Sequence, residues 1–401
     1  MLTALLLAEQ GVRVKIIDKE WRTAAHSYAC VLHPGTLRFL DGMGLAQAAL
    51  TRGQRIETVA FYEGGSRRAE VKLSQLAGDF PCAVVLPQSA FEELLEQRLK
   101  QKSAVKVRWN HRLTDLQFGE KEVAASIDKL TQSAKGYIVA DWDWTVQKKL
   151  QSRATFVVGA DGHGSLVRTR LGIEYERLAD PELFTVCEFE TEGEPGNEVR
   201  IVVDEATTNV LWPLPGNCCR WSFQLVKTKE AGEFPDKERE AVQIVQAEVD
   251  ENTRSHVERL AQKRAPWFGG KVKDVYWWAH IRFQHRLAKR FGEGRGWLAG
   301  DAAHQTGPIG VQSMNEGLRE AVDLAGKLKQ ILRDGASPEL LESYHNAHRN
   351  KWEKLLGLKG APSAKTPANP WAKDHWAKIL SCIPATGEDL THLAGQLGLD
   401  F

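Results

Sequence analysis

The stretch that decides the fold is Gly294–Leu328, which reads GRGWLAGDAAHQTGPIGVQSMNEGLREAVDLAGKL. Trp297–Ala299 is a short apolar run that ends at Gly300 and Asp301, as a buried strand would, and a turn rich in glycine and proline follows. From Met314 onward, apolar residues recur at helical spacing. The stretch therefore predicts a strand, a carboxylate at its end, and a loop that leads into a helix. The start of such a helix offers free backbone N–H groups and a positive dipole, which suit an electron-rich ligand.

The same stretch resembles the G-D-A-A-H-x-x-x-P-x-x-G-x-G-x-N segment of FAD-dependent aromatic-ring hydroxylases, the family typified by para-hydroxybenzoate hydroxylase. The resemblance implies that Asp301, next to Gly300, holds a ribityl hydroxyl group of FAD. It also implies that the backbone of Pro308 lies beside the flavin, where oxygen and substrate meet the ring. The cofactor-binding residues implied around the helix start are Gly310, Ser313, Met314 and Asn315. One departure is visible, because the family often has glycine where this chain has Ser313. The alternative is a buried junction whose aspartate only caps a helix.

Composition and charge narrow the class of protein. At 401 residues the chain exceeds a single typical domain, and its 42% hydrophobic and 26% charged residues are usual for a globular protein. Because 53 Lys+Arg balance 52 Asp+Glu, no net field attracts nucleic acid or anionic lipid. The six cysteines show no metal-binding spacing, so we expect reduced thiols and no metal. No segment approaches the length of a transmembrane helix or reads as a signal peptide, so we expect a cytoplasmic protein.

The first residues read as the second half of a dinucleotide-binding βαβ unit. Leu2–Ala8 looks like the inner face of a helix, Gly11 ends it, Val12–Ile17 alternates as a strand, and Asp18 closes it. Asp18 is our candidate for contact with the adenosine ribose, and its alternative is a solvated strand end. The first strand and the G-x-G-x-x-G loop of such a unit would precede Met1. Either the chain is truncated, or it is a homologue that lost the loop. The first is favoured because a sheet without its central strand exposes an unsatisfied edge.

Three further segments carry the resemblance. Phe156–Ile173 resembles the family's G-A-D-G-x-x-S-x-V-R-x-x-L-G motif, which implies that Asp161 supports FAD. Gln88 precedes an amphipathic helix, as in the family's Q-x-x-L-E-x-x-L segment, where the glutamine meets the ribityl chain; its alternative is a helix cap. In His26–Leu45, the family has an arginine that touches the cofactor and helps to recognise the nicotinamide donor. This chain has Tyr28 there, which removes a charge-assisted phosphate contact.

From Leu183 to about Trp278 the pattern changes to alternating strands, which predicts one antiparallel sheet that covers the flavin. The turn residues within Val59–Leu73 predict a hairpin on the same side. The candidates for the substrate pocket are Trp212, Arg220, Trp221 and Phe223. Their aromatic rings would shape a flat apolar slot, and the alternative for each is ordinary sheet packing.

The resemblance covers nearly all of Met1–Leu332 and implies a mixed α/β fold. A Rossmann-like, three-layer FAD-binding domain would be interleaved with an antiparallel-sheet substrate domain, as in para-hydroxybenzoate hydroxylase. We expect the FAD-binding domain at residues 1–58, 82–180 and 284–345, the substrate domain at 59–81 and 181–283, and a helical tail at 346–401. The tail would cover the active site or serve a homodimer contact.

The function implied by the resemblance is an NAD(P)H-dependent flavoprotein monooxygenase. In that family NAD(P)H reduces FAD, O2 adds at flavin C4a, and the hydroperoxide hydroxylates an aromatic ring, here phenol-like or polyketide-like. One alternative is a flavin enzyme of the same fold with other chemistry, such as a halogenase or a reductase. The segment Trp212–Pro215 lacks the W-x-W-x-I-P pattern expected of a halogenase. The other alternative is an inactive FAD-fold scaffold, for which the missing glycine loop and Tyr28 argue.

Overall fold

The amino-terminal part of the chain combines a parallel strand pair with short antiparallel strands. The computed structural model describes residues 1–22, 31–135, 141–192, 196–226, 242–246, 249, 251–269, 271–356, 358, 363–364 and 369–400. The elements up to Arg108 are α1 (Leu2–Glu9), β1 (Val14–Ile17), β2 (Val31–Leu32), α2 (Pro34–Asp41), α3 (Ala46–Arg52), β3 (Gln54–Ile56), β4 (Thr58–Glu63), β5 (Ser66–Lys72), β6 (Ala83–Val85), α4 (Gln88–Lys100) and β7 (Val105–Arg108). Strands β1 and β7 run parallel, with Val14 opposite Val105.

The middle of the chain consists mainly of strands. Its elements are β8 (His111–Phe118), β9 (Val123–Lys135), β10 (Asp141–Ala154), β11 (Val157–Gly159), α5 (Leu166–Arg170), β12 (Tyr175–Arg177), β13 (Glu182–Thr191), β14 (Glu198–Val203), β15 (Thr208–Leu214), β16 (Cys218–Leu225), β17 (Val242–Gln246), α6 (Glu251–Arg264) and β18 (Val272–Phe283). Eight strands form one sheet in the order β17-β18-β13-β16-β15-β14-β4-β5. Neighbouring strands within this sheet are antiparallel, except that β14 and β4 run parallel. The predicted sheet and the β4–β5 hairpin are confirmed.

The carboxyl-terminal part contains a strand that pairs in parallel with β11, and helices follow it. Its elements are β19 (Arg286–Ala288), β20 (Gly292–Glu293), β21 (Gly296–Leu298), β22 (His304–Gln305), α7 (Gln312–Asp334), α8 (Leu340–Leu355), β23 (Ser363–Ala364), α9 (Pro370–Asp374), α10 (Trp376–Cys382), α11 (Glu388–Gly395) and β24 (Leu399–Asp400). Strand β21 pairs with β11 in parallel, so Leu298 lies opposite Gly159. Among the residues described, none of the helices combines the length and apolar character needed to cross a bilayer.

Helix α1 and strand β1 form as the local pattern predicts. The helix is leucine- and alanine-rich, and Leu2, Leu5 and Leu7 are buried. It packs mainly against α7, and a helix that is apolar all round is stable only when covered in this way. Gly11 follows with φ +74°, a left-handed conformation that ends the helix and turns the chain into β1.

The eight-stranded sheet has two faces with different neighbours. Successive side chains along a strand point to opposite faces of the sheet, and residues paired across neighbouring strands point to the same face. We call one side the loop face. Ile309 packs against one apolar cluster on this face, which consists of Phe184, Val186, Trp277, Ala279, Ile281 and Phe283. We call the other side the α6 face; its residues, which pack with Val257, Leu260 and Ala261 of α6, include Cys187, Phe189, Trp221 and Phe223. The loop face therefore meets the segment that joins β22 to α7.

Candidate functional site

The site begins where β21 ends. Trp297 and Leu298 are buried, and Gly300 then adopts φ +63°. A Cβ at Gly300 would meet no atom of the described residues within 4 Å, so the glycine serves the backbone conformation and leaves space beside the strand end among these residues. Asp301, half-buried, follows in a single 3-10 turn spanning Gly300–Ala302. The predicted carboxylate thus stands at a strand end beside a gap in the packing.

A buried carboxylate that the sequence did not single out fixes this turn. Glu320 of α7 is fully buried and accepts the Gly300 N–H at 2.9 Å. The same carboxylate lies 2.9 Å from His304 Nε2 and accepts the Trp352 Nε1–H at 2.9 Å. Burial alone would raise the pKa of Glu320, but the charge and hydrogen bond of His304 hold it below its ordinary value. Three donors therefore keep an ionised carboxylate against the backbone of the turn.

The carbonyl groups of the same turn are held from the other side. Arg168 Nη1 donates to the Ala302 carbonyl at 2.7 Å, and Nη2 donates to the His163 carbonyl at 2.7 Å. Its guanidinium lies 3.9 Å from the centre of the Tyr175 ring, and the Tyr175 hydroxyl donates to the Asp301 carbonyl at 3.0 Å. A buried arginine and a tyrosine thus hold the backbone carbonyls of this turn, including that of Asp301.

Asp161 lies at the predicted turn after β11, but its carboxylate is occupied by the chain itself. One oxygen accepts the Ser165 hydroxyl at 2.5 Å. The other accepts the N–H groups of Leu166 at 2.8 Å and Val167 at 3.2 Å. Asp161 therefore stabilises the start of α5 by capping its free N–H groups, and it shapes the turn that carries His163 and Arg168.

The start of α7 is held in a strained conformation. Val311 has φ +51°, a left-handed value that costs a β-branched residue about 1–3 kcal/mol. Asn315, fully buried, donates to the carbonyls of Val311 at 2.9 Å and Val31 at 2.8 Å. Its side-chain oxygen accepts from the His33 N–H at 2.9 Å and the Thr36 hydroxyl at 2.7 Å. The Asn315 side chain is therefore structural, and only its backbone is left for a ligand. The resemblance pattern has glycine at position 311, where this chain has valine.

The loop before α7 closes on itself. The Ser313 hydroxyl accepts the Thr306 N–H at 3.1 Å and lies 2.8 Å from the Thr306 hydroxyl, so it joins the two ends of the loop. Pro308 is buried within it. A Cβ on Gly310 would lie 2.1 Å from the Ser381 carbonyl oxygen, so the C-terminal segment packs directly on this glycine. Val311, the residue before α7, makes no side-chain cap, and among the described residues the first N–H groups of α7 are open to a ligand.

The remaining predicted cofactor contacts are dispersed around this junction. Asp18 is exposed at the end of β1 and accepts the Glu20 N–H at 3.0 Å. Gln88 is the first residue of α4 and does not cap it; its amide donates to Glu92 at 2.6 Å. Met314, half-buried, packs between two apolar clusters beside the helix start. Tyr28 lies outside the described residues.

The four predicted pocket residues divide between the two faces of the sheet. Trp212 and Arg220 are paired across β15 and β16 and lie on the loop face, with Arg220 bound to Glu188. Trp221 and Phe223 instead stack on each other at 4.8 Å on the α6 face. They belong to the core under α6 because strand alternation turns them away from the loop. Nothing in the local sequence distinguishes the two faces, since both carry large apolar side chains.

These observations fit FAD. A strand-end carboxylate beside open space and an uncapped helix start suit the hydroxyl and electron-rich groups of a flavin cofactor. Parallel strand pairs occur in the segments that lead to this junction, and the mainly antiparallel eight-stranded sheet meets its loop.

Comparison with known proteins identifies the family. The chain belongs to the FAD binding domain family, whose model matches residues 1–357. It is 29% identical over 399 residues to an uncharacterized aromatic compound monooxygenase of Bacillus subtilis (strain 168), covering 98% of this chain and 71% of that protein. It is 28% identical over 345 residues to the 6-methylpretetramide 4-monooxygenase of Streptomyces rimosus, covering 84% of this chain and 55% of that protein. The chain thus spans little more than half the length of the Streptomyces relative. The motif resemblance to FAD-dependent aromatic hydroxylases is confirmed.

A solved structure shares the fold. The p-nitrophenol 4-monooxygenase PnpA from Pseudomonas putida DLL-E4 has a TM-score of 0.74 at 21% identity, covering 99% of this chain and 90% of that chain. The predicted fold class, an α/β FAD-binding domain interleaved with an antiparallel sheet, is confirmed.

Proposed function

We propose that this protein is a flavoprotein monooxygenase that uses NAD(P)H and O2 to hydroxylate an aromatic ring that bears a hydroxyl group. The observation that carries the proposal is the junction from Gly300 to Met314, where a strand-end carboxylate and an uncapped helix start occur in one rigidly held segment. Family membership supplies FAD as the cofactor. The names of the two relatives, an aromatic compound monooxygenase and a 6-methylpretetramide 4-monooxygenase, support the class of reaction.

The chain's own residues would hold the cofactor in a defined order. The Asp301 carboxylate would take the ribityl chain together with Gln88, and the backbone N–H groups of Ser313 and Met314 would meet the pyrimidine edge. Asp18 would bind the adenosine ribose. Bound FAD supplies the redox chemistry, which is reduction by NAD(P)H and transfer of one oxygen atom from O2 to the ring. The protein's part is to orient the cofactor and the substrate and to exclude water.

The substrate would lie between the loop and the loop face of the sheet. The buried Pro308 would form the wall beside the flavin. Phe184, Trp277 and Phe283 give the loop face an aromatic character that suits a flat ring. We retain Trp212 and Arg220 as lining residues. The division into FAD-binding segments (1–58, 82–180, 284–345), substrate segments (59–81, 181–283) and a tail (346–401) stays a proposal, supported by the origin of the eight sheet strands.

The test begins with the visible spectrum of the purified chain after incubation with FAD. We expect bound flavin, NAD(P)H oxidation that phenols accelerate, and a hydroxylated product that carries isotope from labelled O2. Asp301→Ala should weaken FAD binding, whereas Asp334→Ala, a half-exposed carboxylate at the far end of α7, should not. A chain that binds no flavin, or that oxidises NAD(P)H without any aromatic product, would refute the proposal.

We further propose that the protein works in the cytoplasm, with a homodimer as its assembly. The cysteines of the described residues, five in number, are unpaired thiols, as is usual in a reducing compartment. Light scattering on the flavin-loaded protein tests the assembly, and a monomeric mass would refute it.

A further inference from the structure

A histidine–glutamate pair without an assigned role lies at the start of β13. His285 Nε2 lies 2.9 Å from Glu182 Oε2. Gln224 donates its amide N–H to Glu182 Oε1 at 3.0 Å, and its own oxygen accepts the Thr208 N–H at 2.7 Å. Both oxygens of the Glu182 carboxylate are therefore engaged. The carboxylate has a fixed orientation toward the imidazole ring.

The pair lies against the loop that the proposed function places beside the flavin. A Cβ on Gly307 would lie 2.9 Å from Glu182 Oε2 and 4.0 Å from His285 Cε1. Glu182 is two residues from Phe184 in β13, so both side chains point to the loop face. Ile309, two residues beyond Gly307, packs on that same face. The pair and the aromatic residues of the loop face therefore border one region.

The pair is more exposed to solvent than the aromatic rings of the loop face. The His285 and Glu182 side chains are 21% and 32% exposed, whereas Phe184 and Phe283 are fully buried. On the side of the C-terminal segment, α10 carries Cys382, a titratable neighbour of Glu182, and Lys378 close to that thiol. Burial raises the pKa of the Cys382 thiol to about 12, and the Glu182 charge acts in the same direction. The charged and titratable groups around the pair thus include the neutral Cys382 thiol and the Lys378 ammonium of α10.

We propose that His285 accepts the proton of the substrate's aromatic hydroxyl group and that Glu182 is the residue that positions it. The inference rests on the proposed function and deepens it. Because a carboxylate can only accept, Glu182 selects the tautomer with hydrogen on Nε2 and leaves Nδ1 of the neutral ring as the proton acceptor. The O–H bond of the phenol breaks, its electron pair stays on oxygen, and the proton moves to Nδ1. The imidazolium that forms is stabilised by the Glu182 charge.

The proton transfer serves the proposed reaction because it makes the ring more electron-rich. A phenolate reacts more readily than a phenol with an electrophilic oxygen atom. Nothing is oxidised or reduced in the transfer itself. The oxygen and the electrons come from O2 and NAD(P)H, as the proposed function already requires.

The first test measures ionisation of a bound phenol and needs no turnover. The probe is 4-nitrophenol bound to the FAD-loaded protein, because its phenolate absorbs visible light and its neutral form does not. We expect the pH midpoint of the bound probe to lie about one unit below that of the free probe, a tenfold shift toward the phenolate. His285→Gln should return the midpoint to the free value, and Glu182→Gln should give an intermediate one. His280→Gln should leave it unchanged, since His280 bonds Thr185 on the opposite face of the sheet.

The second test measures the pH dependence of turnover. His285→Gln should lower kcat/KM about 10²-fold below the pKa of a phenolic substrate. The defect should narrow as the pH rises, because the substrate then arrives as phenolate. A residue with only a structural role would not give this convergence.

The outcomes separate the inference from the proposed function. The inference would be overturned if His285→Gln and Glu182→Gln left the pH midpoint of bound 4-nitrophenol unchanged and gave kcat/KM profiles parallel to that of the wild type. If His285→Gln does not retain flavin, the result for Glu182→Gln decides. A wild type that hydroxylates only rings without a hydroxyl group would overturn the inference and the phenolic substrate class, but it would leave the flavin-dependent monooxygenase activity standing. A wild type that binds no flavin would refute the proposed function itself.

Discussion

Replacing His33 with glutamine should make the free energy of unfolding less dependent on pH below about pH 6.5. His33 is fully buried, and its Nε2–H donates to the Gly310 carbonyl at 2.9 Å. Burial lowers the pKa of His33 to about 3, against the effect of the Gly310 bond, and the charges of Arg319 and Lys351 lower it further. The folded protein therefore keeps a neutral imidazole under the loop that precedes α7.

The magnitude follows from the difference between the folded and unfolded pKa values of His33. Its ordinary pKa is 6.5, so from pH 6.5 down to about pH 3 the unfolded chain binds a proton that the folded chain does not. The free energy of unfolding then falls by about 1.4 kcal/mol for each pH unit, or about 2 kcal/mol between pH 6.5 and about pH 5. Above pH 6.5 both states are neutral at this residue, so the contribution is constant there.

The assay is urea unfolding at a series of pH values between about 7.5 and about 5, followed by tryptophan fluorescence. Other groups also titrate, so the measured quantity is the difference in slope between the wild type and His33→Gln. Glutamine preserves a donor toward Gly310 but does not titrate, and the variant's slope should be shallower by about 1.4 kcal/mol per pH unit. His392→Gln, an exposed position on α11, controls for the loss of one imidazole. Parallel stability curves for His33→Gln and the wild type would refute the reasoning.

Three further substitutions, one of them with a matched control, test the packing around the site. Glu320→Ala leaves buried donors of the Gly300 turn without an acceptor, so we expect a loss of about 3–5 kcal/mol in chemical denaturation and weaker FAD binding by titration. Unchanged FAD affinity would contradict the positioning role. Gly310→Ala should cost about 1–3 kcal/mol by thermal unfolding, because the new Cβ meets the Ser381 carbonyl at 2.1 Å. Gly326→Ala, in open space on α7, should instead stabilise by up to about 1 kcal/mol, and equal effects would disprove the steric account. Trp221→Ala should cost about 3–5 kcal/mol in unfolding but leave the KM for the aromatic substrate unchanged; a raised KM would return this residue to the pocket.

Much of the candidate site could be predicted from the sequence because its features are local. The strand that ends at Gly300, the following carboxylate and the helix from Gln312 all lie within one continuous stretch. Turn residues and apolar periodicity determine such features from neighbour to neighbour. The β4–β5 hairpin could also be predicted from the sequence, because Gly64 and Gly65 mark its turn.

The residues that the sequence did not reveal act over long separations. Arg168 reaches Ala302, and His285 reaches Glu182, across more than a hundred residues in each case. Periodicity says that such side chains are buried or half-buried, but it does not say which distant partner they meet. The left-handed Val311 is a further example, because a β-branched residue is the last that local preference would place there.

The sequence by itself determined the order of strand, carboxylate and helix, the family, and the alternation of the sheet strands. Alternation determines which residues share a face, so the side chains of Trp221 and Phe223, two residues apart in β16, must lie on the same face. Only the tertiary structure decided that α6 covers their face and that the loop meets the other one. The reason is that the covering element is distant in the chain, and both faces offer it a similar apolar surface.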